Sequence, residues 1–169
     1  MIKARKNVFE TNSSSTHAIC VPSNCSRSIS NVHFGIGEFG WAENIADAAD
    51  YFWTAICCGV DSLEEYENKR SIIHSILESN DISCEFEEPD FHNYSDGSIY
   101  LDNGYIDHAE EAVSFANELL ENEDKFIAFL SDGYVITSND NLSSDEKEWF
   151  NKQYDEAVKS GHEIVWKGN

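Results

Sequence analysis

Apolar residues recur along the chain with two different periods, which together predict a fold of the α+β class. Spacings of three and four predict four helices, at residues 43–58, from Asp61 to about Leu77, from near Asp107 to about Leu120, and from Ser143 or Ser144 to about Ser160. Short β-branched and aromatic runs predict strands at 8–10, 17–21, 82–87, 98–102, 126–130, 134–137 and 162–166, and residues 23–42 are expected to be irregular. We therefore expect a single domain, residues 1–169, with about four helices packed on a mostly antiparallel sheet.

The helix ends carry local signals. Asp61 with Glu64, and Ser143 with Glu146, have the spacing of a capping box, in which two side chains satisfy the free N–H groups of a helix start. Gly161 follows the last helical residue, where glycine commonly ends a helix because it adopts a left-handed conformation without strain.

Two further patterns concern the sheet and the core. Ser131-Asp132-Gly133 predicts a hairpin turn between the strands at 126–130 and 134–137. Large rings are clustered in and just before the first helix, and we expect them to form core rather than a surface for stacking bases: Trp41, Tyr51, Phe52 and Trp53.

The composition bears on whether the chain folds and on its cellular location. The hydrophobic share of 41% is sufficient for a packed core, and no stretch approaches the roughly 20 apolar residues of a membrane span. Residues 1–7 carry charge without an apolar segment behind them, so they do not read as a secretory signal and the cytoplasm is the expected location. The five cysteines lack metal-type spacing and are expected to be small, mostly buried apolar residues: Cys20, Cys25, Cys57, Cys58 and Cys84.

The chain is strongly acidic, with 11 basic and 32 acidic residues and a net charge of −21. Residues 1–37 differ from the rest, because they contain four basic residues, Lys3, Arg5, Lys6 and Arg27, and one acidic residue, Glu10. Such a chain is repelled by nucleic acid except where its charge is locally reversed, and it can attract a basic protein surface that normally holds DNA or RNA. A solvated acidic surface that aids solubility is the simpler alternative.

The polar run 12–17 is the most unusual local feature. Consecutive hydroxyl and amide side chains compete for backbone hydrogen bonds, so the run predicts a turn between two strands. It lies close to the basic cluster of Lys3, Arg5 and Lys6, and it ends in His17. Because phosphate oxygens need several donors and nearby cations, we predict a phosphate site formed by Lys3, Arg5, Lys6, Asn12, Ser13, Ser14, Ser15 and Thr16.

His108 is a second candidate for proton transfer. It lies at a predicted helix start, where Asp107 has the position of an N-cap with Glu110 as its capping-box partner. Two histidines acting as base and acid can cleave RNA without metal, by driving the 2′-hydroxyl onto the neighbouring phosphate. We therefore predict His17, His108 and Asp107 as catalytic residues, with no cofactor and no metal.

Two other chemistries remain open. Residues 139–141 resemble a fragment of a calcium loop, and Glu38, Asp107 and Asp140 could meet in space to form a metal-dependent hydrolase. A serine activated by His17 is also possible, although residues two to four apart rarely point at each other in an extended loop.

Residues 5–17, R-K-N-V-F-E-T-N-S-S-S-T-H, resemble a family of small proteins of phages and mobile elements in Gram-positive bacteria. Residues 37–41, 104–108 and 134–140 are similar to it more loosely, and the chain departs from the pattern at Ala18, where the family pattern has Ser. The resemblance implies that these four segments converge on one site. It further implies an anti-CRISPR role, with a bacterial defence nuclease or its guide RNA as the partner.

Three hypotheses follow. The first is a counter-defence enzyme that cleaves or binds RNA at the N-terminal run together with His108. The second is a non-enzymatic acidic mimic of nucleic acid that blocks a basic protein channel. The third is a phage protein with a structural or regulatory role. The sequence leaves the oligomeric state open.

Overall fold

The computed structural model describes residues 15–24, 28–40, 42, 44–139 and 143–168. These residues form five helices: α1 (Ala48–Gly59), α2 (Leu63–Ser79), α3 (Ala109–Leu120), α4 (Glu123–Asp132) and α5 (Ser144–Lys159). They also form ten strands: β1 (Ser15–Pro22), β2 (Asn31–Phe34), β3 (Glu38–Phe39), β4 (Asn44–Asp47), β5 (Ser83–Phe86), β6 (Phe91–Asn93), β7 (Ile99–Leu101), β8 (Tyr105–Ile106), β9 (Tyr134–Asn139) and β10 (His162–Gly168). The α+β class is confirmed. The strand predicted at 8–10 lies outside the described residues.

The main sheet has four antiparallel strands in the order β10-β1-β9-β4. The other strands pair in twos: β2 with β5 and β3 with β8 in parallel, and β6 with β7 antiparallel. Strand β1 is therefore hydrogen-bonded along both of its edges. Seven of its eight residues are buried, with Thr16 half-buried.

The main sheet is covered on both faces. On one face, Ile19, Val135 and Ala46 join the large core built on α1 to α4. On the other face, a smaller cluster packs against α5: Ala18, Cys20, Ile136, Phe150 and Ala157. A strand with helices on both sides is expected to be mostly apolar, and β1 from Ala18 to Pro22 meets that expectation. The paired ends of β1 and β9, residues 15–17 and 137–139, are polar instead.

Helix α1 lies at the centre of the large core because it is apolar almost all round. Tyr51, Phe52 and Trp53 are at most 1% exposed, which confirms their prediction as core residues. The indole N–H of Trp53 donates to the carbonyl of Glu87 at 3.0 Å, so its one polar group is satisfied. Trp41 lies outside the described residues.

No disulfide joins the described cysteines to one another. Cys20 and Cys57 are buried, and Cys58 and Cys84 are half-buried. Burial raises the pKa of Cys20 to about 12, so its thiol stays protonated. Cys25 is not among the described residues.

The predicted hairpin at 126–137 is wrong in its first half, because residues 123–132 form helix α4. The side chain of Asn122 accepts from the N–H of Lys125 and caps the helix, and Phe126 and Phe129 lie three residues apart on its buried side. Gly133 then ends the helix against Phe129. A Cβ at Gly133 would lie 2.3 Å from the ring of Phe129 and 2.5 Å from its carbonyl oxygen.

Other predicted boundaries also shift. Residues 44–47, predicted as the first turn of a helix, form strand β4. Asp47, the last residue of this strand, is the N-cap of α1. Part of the region predicted as irregular, residues 31–34 and 38–39, is strand. Helix α2 is capped by Ser62 rather than Asp61, and the carboxylate of Glu65 accepts from the N–H of Asp61.

The last helix follows its prediction closely. The capping box of Ser143 and Glu146 is present in full, and Gly161 follows with a φ of +89°. A residue with a Cβ is strained at that φ, which explains why glycine stands at this turn into β10.

The α5 face of the sheet should be essential for stability. We expect Ile136→Ala to lower the free energy of unfolding by about 2–5 kcal/mol, because Ile136 is fully buried and the substitution leaves a cavity. The matched control is Ile72→Ala on α2, where the side chain is 38% exposed and the loss should stay below about 1 kcal/mol. Urea unfolding followed by circular dichroism measures both, and equal losses would contradict the layered packing.

Candidate functional site

The site begins at the first residues of β1. Residues two apart on a strand point to the same face, so Ser15 and His17 lie side by side. The hydroxyl oxygen of Ser15 is 2.9 Å from Nε2 of His17. Both residues are 0% exposed. Residues 12–17 are predicted from the sequence to form an extended loop, in which residues two to four apart rarely point at each other. Because Ser15 and His17 lie on a strand instead, their side chains do meet.

The other imidazole nitrogen binds helix α1. Nδ1 of His17 lies 2.9 Å from the hydroxyl of Tyr51, a residue 34 positions further along the chain. The two rings meet edge to face, with 5.8 Å between their centroids. Burial raises the pKa of Tyr51, so its phenol stays neutral. Ser15, His17 and Tyr51 thus form one hydrogen-bonded chain, the Ser15–His17–Tyr51 relay, which ties β1 to α1.

Asp107 holds the end of the same strand. Its Oδ2 accepts from the backbone N–H of Ser15 at 2.9 Å. The prediction that Asp107 caps helix α3 is wrong, because His108 occupies the cap position and makes no side-chain capping bond. The carboxylate is directed to β1 instead.

His108 adopts an unusual backbone conformation, with φ +56° and ψ +47° in the left-handed region. A residue other than glycine is strained there, and such strain persists only where the surroundings impose it. Nε2 of His108 lies 4.0 Å from Oδ2 of Asp107 and is buried with no hydrogen-bond partner among the residues that the structure describes. The side chain as a whole is 34% exposed.

The pKa of His17 is lowered from 6.5 to about 4. Burial is the largest cause, because a charged imidazole loses its hydration. The charge of Asp107 opposes this shift, and that of His108 adds to it. His17 is therefore neutral at pH 7 and a weak proton acceptor, and all three predicted catalytic residues are electrostatically coupled.

The described parts of the four segments singled out in the sequence, residues 15–17, 37–40, 104–108 and 134–139, meet around the Ser15–His17–Tyr51 relay. Strand β1 pairs with β9, and β3 pairs with β8 just before Asp107. The N–H of Asp107 donates to the carbonyl of Phe39 at 2.9 Å, and the ring of Phe39 packs 5.2 Å from that of Tyr51. The hydroxyl of Thr137 donates to the carbonyl of Ala42.

Much of the predicted phosphate site lies outside the described residues: Lys3, Arg5, Lys6, Asn12, Ser13 and Ser14. Of the remaining two residues, Ser15 belongs to the relay. Thr16 points to the α5 face of the sheet, since it is paired with Ser138 on β9 and alternates with its neighbours. The phosphate site therefore stays a prediction.

The relay has the connectivity of an activated nucleophile. A hydroxyl bonded to a histidine, with that histidine held by a third group, is the arrangement that activates serine in hydrolases. Here the hydroxyl and the imidazole are both fully buried, and the third group is a neutral phenol instead of a carboxylate. In this conformation the relay satisfies buried polar groups and fixes β1 on α1.

Sequence reasoning did not identify Tyr51 as a member of this site. It was predicted as a core aromatic residue, and no local spacing connects it to residues 34 positions away. The phenol in a mostly apolar helix is the signal that the sequence offers, because a buried phenol needs a partner.

No group of three or more His, Cys, Asp or Glu side chains within the described residues could hold a metal ion. The alternative metal site of Glu38, Asp107 and Asp140 stays a prediction, because Asp140 lies outside those residues. None of the helices traced through the described ranges is long and apolar enough to cross a membrane. Comparison of the chain with models of known families, with curated proteins and with solved structures found no match.

The buried imidazole predicts an acid-sensitive fold. Because the pKa of His17 is about 4 in the folded protein and 6.5 as its ordinary value, the unfolded state binds more protons between these limits. The free energy of unfolding should therefore fall as pH drops from about 6.5 to about 4, by about 3 kcal/mol for this group.

His17→Gln removes the titration, so the pH slope of unfolding should be shallower than in the wild type. An independent check is NMR titration of the wild-type imidazole, which should protonate only near pH 4. An imidazole that protonates near pH 6.5 would show that the relay is open to water.

Proposed function

We propose that this protein is a non-enzymatic, counter-defence inhibitor that covers the nucleic-acid-binding surface of a basic bacterial protein. One observation carries the proposal, the segregation of charge. Residues 28–124 contain 23 of the 32 acidic residues and two of the 11 basic ones. That stretch has a net charge of −21, equal to that of the whole chain, and the remaining residues balance nine against nine.

The fold turns this sequence bias into a difference between two sides. The described residues of 28–124 supply β4, the edge strand of the main sheet, together with α1 to α3, β2, β3 and β5 to β8, which belong to the large core on one face of that sheet or lie beside it. The other face carries α5, where Lys147, Lys152 and Lys159 alternate with carboxylates. We call the first region the acidic side, defined by residues 28–124.

The two cations of the acidic side are engaged within it. Nη2 of Arg70 lies 2.9 Å from a carboxylate oxygen of Glu88, and Lys69 donates to the side-chain oxygen of Asn117. Carboxylates such as Glu67 and Glu85 are exposed. A basic partner would therefore meet a surface of one sign, which is what a groove built for phosphates accepts.

Charge neutralisation on the acidic side should weaken binding to such a partner. We expect Glu67→Gln with Glu85→Gln to raise the concentration needed to displace labelled guide RNA from an RNA-guided nuclease, by about threefold to tenfold. The matched control, Glu148→Gln with Glu156→Gln on α5, makes the same change in net charge and should have a smaller effect. Fluorescence anisotropy of the RNA measures the displacement.

Salt provides the second readout. Displacement by the wild type should weaken steeply between about 50 and 300 mM salt, because many exposed charge pairs are screened together. Displacement that does not depend on salt, or equal effects of the two double variants, would contradict a mechanism based on acidic mimicry.

RNA processing at the N-terminal site is the second candidate, and the convergence of four separate segments around Ser15 and His17 favours it. The route would require His17 to become accessible, since its imidazole is buried and its pKa is low. His108 is the more accessible base, beside Asp107.

This candidate predicts cleavage of labelled guide RNA by the wild-type protein in the presence of a chelator. His108→Asn should abolish it, since asparagine tolerates the left-handed backbone but cannot transfer protons. His74→Asn, at an exposed histidine on α2, is the control and should cleave normally. RNA that stays intact with wild-type protein rejects the enzyme and leaves acidic mimicry unaffected.

A further inference from the structure

The hairpin of β6 and β7 has two unlike faces. Ile99 and Leu101 are buried in the large core, and Phe91 packs on Tyr66 with 5.2 Å between the ring centroids. These residues alternate with a second set on the opposite face, as strand geometry requires.

That opposite face carries three aromatic rings in mutual contact. His92 and Tyr100 are directly paired across the hairpin, with ring centroids 5.0 Å apart. Tyr94 completes the group, at 5.5 Å from His92 and 5.3 Å from Tyr100. We call these residues the hairpin aromatic cluster. Tyr94 is 40% exposed and His92 is also exposed, so the rings cover surface instead of filling the core.

Carboxylates border the cluster at both ends. Asp90 and Asp102 continue the register beyond His92 and Tyr100, because the N–H of Asp102 donates to the carbonyl of Asp90 at 2.7 Å. Asp96 lies in the turn that joins the strands, and all three residues are exposed. Residues 71–124 contain no Lys or Arg, so no cation of this stretch competes for the rings.

Rings bordered by carboxylates suit a guanidinium group. Arginine stacks on aromatic faces through its planar, weakly hydrated cation and forms forked hydrogen bonds with carboxylates. The ammonium of lysine is compact and strongly hydrated, so it neither stacks nor forms the forked pair. The protein already contains one such arrangement. Arg70 lies over the ring of Phe86, 5.2 Å from its centroid, while it pairs with Glu88.

We propose that the hairpin aromatic cluster anchors an arginine side chain of the basic partner, and that Asp90, Asp96 and Asp102 align its guanidinium. The proposal rests on the proposed function, since it assumes a basic protein as the partner. A nucleobase would also stack on these rings, but the neighbouring carboxylates repel its phosphate.

The preference for arginine over lysine tests the proposal at constant charge. Fluorescent nona-arginine and nona-lysine peptides carry the same charge and differ in the cation. We expect the wild type to bind nona-arginine about twofold to tenfold more tightly. Tyr94→Ala with Tyr100→Ala should remove this preference without changing the protein's net charge, and Tyr94→Phe should keep it because the ring remains. Circular dichroism verifies that each variant is folded.

The outcomes separate this proposal from the function on which it rests. If both peptides bind with a steep salt dependence but with equal affinity, the hairpin proposal is overturned and acidic mimicry stands. If the wild type binds neither peptide nor a basic nuclease, both fail. If the tyrosine variant instead loses binding to a single-stranded oligonucleotide, the cluster is a base-stacking surface and the arginine proposal is overturned.

Discussion

Burial of β1 on both faces, with hydrogen bonding along both edges, is the constraint from which the rest of the structure follows. A strand in that position has little contact with water, so each buried polar group on it needs a partner within the protein. Ser15 and His17 satisfy each other, and Tyr51 satisfies the remaining imidazole nitrogen. Asp107 satisfies the first N–H of the strand. These contacts join the N-terminal strand, the central helix and the turn before α3, which are far apart in sequence.

An element was predictable from the sequence when the residues that determine it lie within the element itself. Helix α5 was predictable because its capping box, its apolar spacing and Gly161 all lie within the segment. Helix α4 was misassigned because the apolar run at 126–130 fits a strand as well as a buried helix, and the cap at Asn122 was overlooked. Residues 44–47 are strand because they pair with β9, about 90 positions further on. The pairing of His17 and Tyr51 likewise depends on tertiary packing, and no spacing in the sequence encodes it.

The N-terminal site shows why connectivity alone does not define an enzyme. A hydroxyl bonded to an imidazole is a nucleophile where substrate can reach it, and a cross-link where it is buried. His17 is completely buried and has a low pKa, so in this conformation the hydrogen-bonded pair of Ser15 and His17 acts as a cross-link. His108 has a strained backbone and a side chain that is 34% exposed, so it is the more accessible of the two imidazoles.

The segregation of charge has a consequence for motion as well as for contact. Residues 28–124 have a net charge of −21, and α5 on the other face mixes lysines with carboxylates. The described part of the molecule therefore carries an electric dipole in addition to its net charge. In the field of a cationic surface it experiences a torque that turns the acidic side forward before the two molecules touch. Fewer collisions are then wasted on wrong orientations, so capture becomes faster without any gain in the strength of the final complex. If the proposed function holds, the protein must reach its target before nucleic acid does, and speed of arrival then matters as much as affinity.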